Sequence, residues 1–183
     1  HMWGLHPGNE ITPGQTPLLS SGCQVTLQHR GLGNVGWSLA WQSSLWARLG
    51  SGHHAGQALE KLITENLSPN LFGQCYSGRA EPFQIDANFG ATAAIAEMLL
   101  QSHERDPMGR YVIRLLPAAA RTWQQGSVSG LRARGGFMID ISWEDGSVVG
   151  AKVHSSRGNA CVVKCNGQTR TVQTTAGEAF TLP

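Results

Sequence analysis

The hydrophobic period of this chain changes partway along it, and that change rules out any single-class fold. Up to about Arg105 the apolar residues recur with helical spacing; from about Tyr111 they alternate with the period of strands. The switch falls at Asp106-Pro107-Met108-Gly109, whose proline and glycine stop a helix and turn the chain. An α+β architecture follows, with a helical part over residues 1–106 and a β part over residues 107–183.

Three helices carry the first part. Trp37 to Leu49 holds one charge, Arg48, and apolar residues on every side, the pattern of a buried helix. His53 to Leu67 places Ala55, Ala58, Leu59, Leu62 and Ile63 on one stripe and Gln57, Glu60, Lys61 and Glu65 elsewhere, which predicts an amphipathic helix. Asn88 to His103 has one acid, Glu97, and a run of small residues that permits close helix contact, so burial is expected again. Buried, amphipathic, buried is the order of helices alternating between the inner and outer ring of an α/α toroid, and a plain bundle produces it as well. Pro17 to His29 reads as a weak outer helix within a Gly- and Pro-rich leading stretch.

In the second part Phe137, Ile139 and Ile141 alternate with Met138, Asp140 and Ser142. Asp145-Gly146 and Asn166-Gly167 are hairpin signals, because glycine accepts the positive φ that tight two-residue turns require. Five or six antiparallel strands are expected, in a sheet or a small sandwich.

Charged residues make up 14% of the chain, against about 25% in ordinary soluble domains. So little charge suggests that part of this surface is covered by polypeptide outside these 183 residues, and that the chain alone is poorly soluble. The net charge is +2 with no Lys/Arg run, which gives no footprint for nucleic acid or an anionic membrane. No segment has the roughly 18–20 uninterrupted apolar residues of a membrane span. The four cysteines have neither zinc-ribbon spacing nor scaffold density, so free, mostly buried thiols are expected. The seven histidines show no ligand spacing; no metal or cofactor is implied, and His53-His54 read as solvated.

The run from Pro82 to Gly90 (PFQIDANFG) concentrates the chemistry. Asp86 would lie in a loop just before a buried helix, either as a helix cap or as a carboxylate in the favourable field of a helix N-terminus. Gln84 and Asn88 flank it at a spacing of two and could present amides to sugar hydroxyls or to a water; equally, they could cap and brace the loop. Trp37 and Trp41, one helical turn apart, could offer an aromatic face to a sugar, or belong to the core.

This run resembles the PFQIDGNFG signature of glycoside hydrolase family 95. Agreement continues in Trp3 to Pro13, Gly36 to Leu49, Ala96 to His103, Leu115 to Pro117 and Gly130 to Gly146. The resemblance implies the C-terminal half of an (α/α)6 catalytic barrel over residues 1–106, then an antiparallel, sandwich-like β domain over residues 107–183. It implies an inverting α-L-fucosidase acting on fucosylated oligosaccharides, with Asp86 as general base and Gln84, Asn88, Trp37 and Trp41 as candidate substrate contacts. L-galactose remains open as the sugar. The family's general acid and assisting asparagines lie upstream and have no counterpart here, so the missing upstream part of the same polypeptide is the expected partner. The resemblance favours a periplasmic or extracellular location and leaves the cytoplasm open. Departures are Val35, often Thr in relatives, Ala87 in place of Gly, and the loop from Gly73 to Glu81, where substrate preference would change. Two other readings compete: a carbohydrate-binding or structural module without catalysis, and a self-sufficient site in which Glu81 or Glu97 is the acid.

Overall fold

The structure, a computed structural model, describes residues 2–76 and 82–182. Its first compact unit is His1–Met98 and its second Leu99–Pro183.

Proline at the first helical position presets φ for α1 (Pro17–Arg30). Gly31, at φ 64°, ends it, since glycine adopts positive φ without a Cβ clash. Only Ser20, Cys23 and Leu27 of α1 are buried, a single inward stripe. α2 (Gly36–Arg48) is buried along most of its length, as its apolar circumference predicts. α3 (Gly52–Glu65) buries Ala55, Ala58, Leu59 and Leu62 and turns its charges outward. Leu39 and Ala40 of α2 meet Leu62 of α3 in a core that Leu67 and Ala91 extend.

α4 (Ile85–Leu99) departs from expectation at both ends. It begins before Asn88, so Asp86 stands in its first turn and not in a preceding loop. It ends before His103 because Leu100 and Gln101 leave the helix to pair with Leu115 and Arg114. A Cβ placed on Gly90 would sit 2.8 Å from the Ala40 Cβ, so the missing side chain is what lets α4 approach α2. The expected burial on all sides is not met: Ile85, Phe89, Thr92 and Ala93 are exposed.

Among the described residues of this unit Arg48 is the buried charge, and it is bonded through Nε and both terminal nitrogens. Arg48 is 3% exposed. It donates to Glu97 through Nε (2.6 Å) and Nη2 (3.0 Å), and through Nη1 to the carbonyls of Leu5 (3.2 Å) and Gly8 (2.9 Å). A bidentate pair with its spare donors satisfied meets the condition under which a buried cation is tolerated. His54 is not a solvated residue: it stacks on Trp46 at 4.3 Å and bonds the Ser51 hydroxyl at 2.7 Å through Nδ1.

The second unit holds β1 (Leu100–Gln101), β2 (Tyr111–Leu115), β3 (Gly126–Ala133), β4 (Phe137–Glu144), β5 (Ser147–Ser155), β6 (Cys161–Cys165), β7 (Gln168–Val172) and β8 (Ala179–Leu182). They form two four-stranded sheets, ordered β1-β2-β6-β7 and β3-β4-β5-β8. The expectation of a wholly antiparallel domain needs one correction, since β2 and β6 run parallel. The chain leaves β2, builds β3 to β5 in the other sheet and returns, and a long crossover of this kind permits parallel pairing. Asp145 (φ 49°) and Gly146 (φ 69°), then Asn166 (φ 48°) and Gly167 (φ 73°), give two hairpins with positive φ at both central residues. Phe137, Ile139, Ile141 and Trp143 are buried and alternate along β4 with residues that are not; Val153 and Val163 complete the interior. All four thiols are free, and burial pushes the Cys161 thiol up to about 11.

Candidate active site

The residues singled out around Asp86 are placed by two helix starts and a short irregular ladder. Val35 bridges to Tyr76 and Gln74 to Phe83, while the Gly36 amide donates to the Cys75 carbonyl at 3.1 Å. These pairings bring the start of α2 and the start of α4 against the segment from Leu71 to Tyr76. Glycine is required twice. A Cβ on Gly36 would lie 2.6 Å from the Gln74 carbonyl and 2.9 Å from the Ala87 Cβ; one on Gly73 would lie 2.8 Å from both the Ala87 Cβ and the Asn88 Oδ1. Ala87 is fully buried, so the methyl that departs from the family signature fills the space those glycines leave.

Asp86 is exposed on the first turn of α4, the end of a helix whose dipole favours a negative charge. It borders a cleft of about 370 Å³ lined by Cys75, Tyr76 and the run from Pro82 to Asp86. That volume lies within the ordinary range for small-molecule clefts, roughly 300–1,000 Å³. Phe72 and Phe83 pack with ring centroids 4.9 Å apart beside it.

Gln84 and Asn88 are turned toward the protein. Gln84 Oε1 accepts the Trp37 backbone N–H at 3.1 Å, and its Nε2 lies 3.7 Å from the Cys75 Sγ. Asn88 Oδ1 accepts the Gly73 N–H at 2.8 Å, and its Nδ2 donates to the Leu71 carbonyl at 2.8 Å. Trp37 and Trp41 stack at 5.9 Å with 26° between planes. Trp37 is 45% exposed, whereas the half-buried Trp41 gives its indole N–H to the His6 carbonyl at 3.2 Å. Gln84 thus joins the two helix starts, Trp37 keeps an open ring face, and Trp41 backs it. Cys75, Tyr76 and Phe83 also line the cleft; none was named as a candidate by itself, although Cys75 and Tyr76 lie in the loop from Gly73 to Glu81 where a change of substrate preference was expected.

Glu97 is committed to Arg48, the ion pair that a helix so poor in charge would need. Glu81 lies outside the described residues. Among the described residues no three His, Cys, Asp or Glu side chains converge in a metal-binding group, and no helix is long and apolar enough to cross a membrane.

Comparison with known proteins matches two family domains along the chain. Residues 1–99 match the Glycosyl hydrolase family 95 catalytic domain and residues 101–181 the Glycoside hydrolase family 95, C-terminal domain. Alpha-L-fucosidase 2 of Arabidopsis thaliana is 36% identical, over 99% of this chain and 22% of that protein. Probable alpha-fucosidase A of Aspergillus niger is 36% identical over 81% of this chain and 20% of its own length. The protein of that name in Aspergillus oryzae is 33% identical over 91% and 25%. The chain therefore spans about a fifth to a quarter of the length of these relatives. With both family domains matched in order along almost all of its residues, this chain belongs to glycoside hydrolase family 95.

Proposed function

We propose that the chain is the C-terminal part of an inverting glycoside hydrolase that removes terminal α-L-fucosyl residues from oligosaccharides, with Asp86 as its general base. In this reading residues 1–106 supply helices of an (α/α)6 barrel and residues 107–183 its C-terminal β domain. The observation that carries the proposal is an exposed carboxylate on a helix's first turn, fronting a cleft, within the run that matches the family signature.

Inversion needs a water on the face of the sugar opposite the leaving group, and two carboxyls about 6.5–9.5 Å apart leave room for it. Asp86 takes a proton from that water as its oxygen bonds to the anomeric carbon. The glycosidic bond breaks as the general acid protonates the departing oxygen. That acid comes from the upstream part of the same polypeptide, since Glu97 is spent on Arg48. Exposed Leu18 (87%) and Phe89 (70%) support packing of the helical unit against further chain, because large apolar groups gain most from leaving water.

Release of fucose from 2′-fucosyllactose tests this. The 183-residue chain should be inactive, and an extended polypeptide restoring the upstream residues should be active. Asp86→Asn should lower the extended protein's kcat by about 10²–10⁴, the usual worth of a general base. Full activity after Asp86→Asn would sink the assignment of the base, and activity of the short chain would place the acid within it.

A further inference from the structure

Gln84 borders the cleft, yet its side chain and that of Asn88 are both bonded within the protein. Gln84, the residue just ahead of α4, accepts the Trp37 N–H (3.1 Å), one of the amides that the start of α2 leaves without a helical partner. Asn88 spans to the loop ahead of α4, taking the Gly73 N–H and giving to the Leu71 carbonyl, both at 2.8 Å. The backbone closes the same knot: the Gln84 N–H donates to the Gly73 carbonyl at 2.8 Å, and the Ala87 N–H to the Gln84 carbonyl at 3.1 Å. Ala87, next to Asp86, is seated against Gly36 and Gly73 with no room for another carbon. Asp86 and Ile85 are thus the exposed residues of a turn held on one side by Gln84 and on the other by Ala87 and Asn88.

We infer that Gln84 and Asn88 are positioning residues that set where the Asp86 carboxylate stands, and not contacts to the sugar. This rests on the proposed role of Asp86 as base. A general base must meet its water at hydrogen-bond distance, and a displacement of about 1 Å at a catalytic group costs up to about 10²-fold in rate. Residues acting through geometry lower kcat when removed and leave substrate affinity nearly unchanged. Residues that hold the sugar in the ground state raise KM.

The test uses the full-length polypeptide with 2′-fucosyllactose. Gln84→Ala and Asn88→Ala should each lower kcat by about 10- to 100-fold with KM within about twofold of the parent. Gln84→Glu keeps an acceptor for the Trp37 N–H and loses the amide donor, so it should recover most of the kcat lost in Gln84→Ala. A sugar-donating amide predicts the opposite, with Glu as damaging as Ala. If Asp86→Asn abolishes turnover while the alanine variants raise KM at unchanged kcat, the positioning role is overturned and the base stands. If Asp86→Asn leaves turnover intact, the base falls and the positioning role with it. Should the alanine variants fail to fold, Gln84→Glu decides alone: near-parent kcat and KM support positioning, and a raised KM overturns it.

Discussion

The two units treat water in opposite ways. Among the described residues, the large apolar side chains left exposed are Trp3, Leu18, Leu19, Val25, Leu32, Trp37, Ile63, Leu71, Phe72, Tyr76, Phe83, Ile85 and Phe89 in the helical unit, against Met108 and Val149 in the β unit. Both units bury polar side chains, among them Arg48, Gln42, Ser43, Ser44 and Asn66 in the helical unit and Gln101, Ser102, His103, Glu104 and Ser155 in the β unit, so the contrast lies in the exposed apolar groups. The β unit encloses an interior of Phe137, Ile139, Ile141, Val153 and Val163, with surface residues alternating between. A strand needs only a period of two to put one face in and one face out. The β unit thus finishes its own hydrophobic partition within these residues, and the helical unit leaves much of its apolar surface in water. That difference fits the proposal that the helices belong to a larger barrel.

The sharpest way to break the comparison is to separate the units. Residues 99–183 expressed alone should unfold cooperatively and bind little hydrophobic dye. Residues 1–98 alone should bind dye strongly and associate, since contiguous exposed apolar surface drives association. A monomeric, dye-free helical unit would show that its exposed side chains are scattered and harmless, and the contrast would fail.

Single substitutions sharpen the same point, because each unit should be most sensitive where its own strategy operates. Arg48→Ala removes both guanidinium contacts to the Glu97 carboxylate and those to the Leu5 and Gly8 carbonyls. Breaking one side of a buried pair costs about 3–5 kcal/mol, read as a shift in the denaturant midpoint. The double change Arg48→Met, Glu97→Leu should cost much less, because it removes both charges together. Ile139→Ala in the β unit should cost about 2–5 kcal/mol through lost burial and an unfilled cavity. If Arg48→Ala proves milder than Ile139→Ala, polar matching is not what holds the helical unit.

The two units also differed in how far their sequences could be read. The Asp145-Gly146 and Asn166-Gly167 turns and the alternation in β4 were legible because each is a local signal. Three strands, β1, β2 and β3, were not assigned: β1 was read as the end of the preceding helix, β2 is short and largely buried, and Gly126, Ser127, Ser129 and Gly130 make β3 look like loop. A Cβ on Gly126 would fall 2.4 Å from the Trp143 ring, so this glycine is there for a tertiary contact that no local pattern reveals. In the helical unit the periods located α2 and α3 closely, yet the start of α4 was misplaced. It is set by Gly73, Gln84 and Asn88, which are brought together only by folding. That displacement put Asp86 on a helix, and of the two readings left open for Gln84 and Asn88, the bonds they make within the protein carry the bracing role inferred above.

The smallest effect expected belongs to the β unit's surface and depends on pH. Asp140 accepts from His154 Nε2 at 3.0 Å and from the Gly130 N–H at 2.9 Å. The His154 hydrogen bond, then that of the Gly130 amide, holds the Asp140 carboxyl below its ordinary value. A carboxyl whose folded value is depressed adds stability that is complete above its unfolded pKa of about 3.9. That stability is lost as pH falls through the lower folded value. Asp140→Asn should therefore lower Tm slightly near pH 6, with the gap to the parent closing only as the pH drops below about 4. Both side chains are about a third exposed, so salt should shrink the gap as well. A gap that stayed constant across the acid range would mean that the pair contributes through shape alone, and Asp140 would join the β unit's packing instead of its electrostatics.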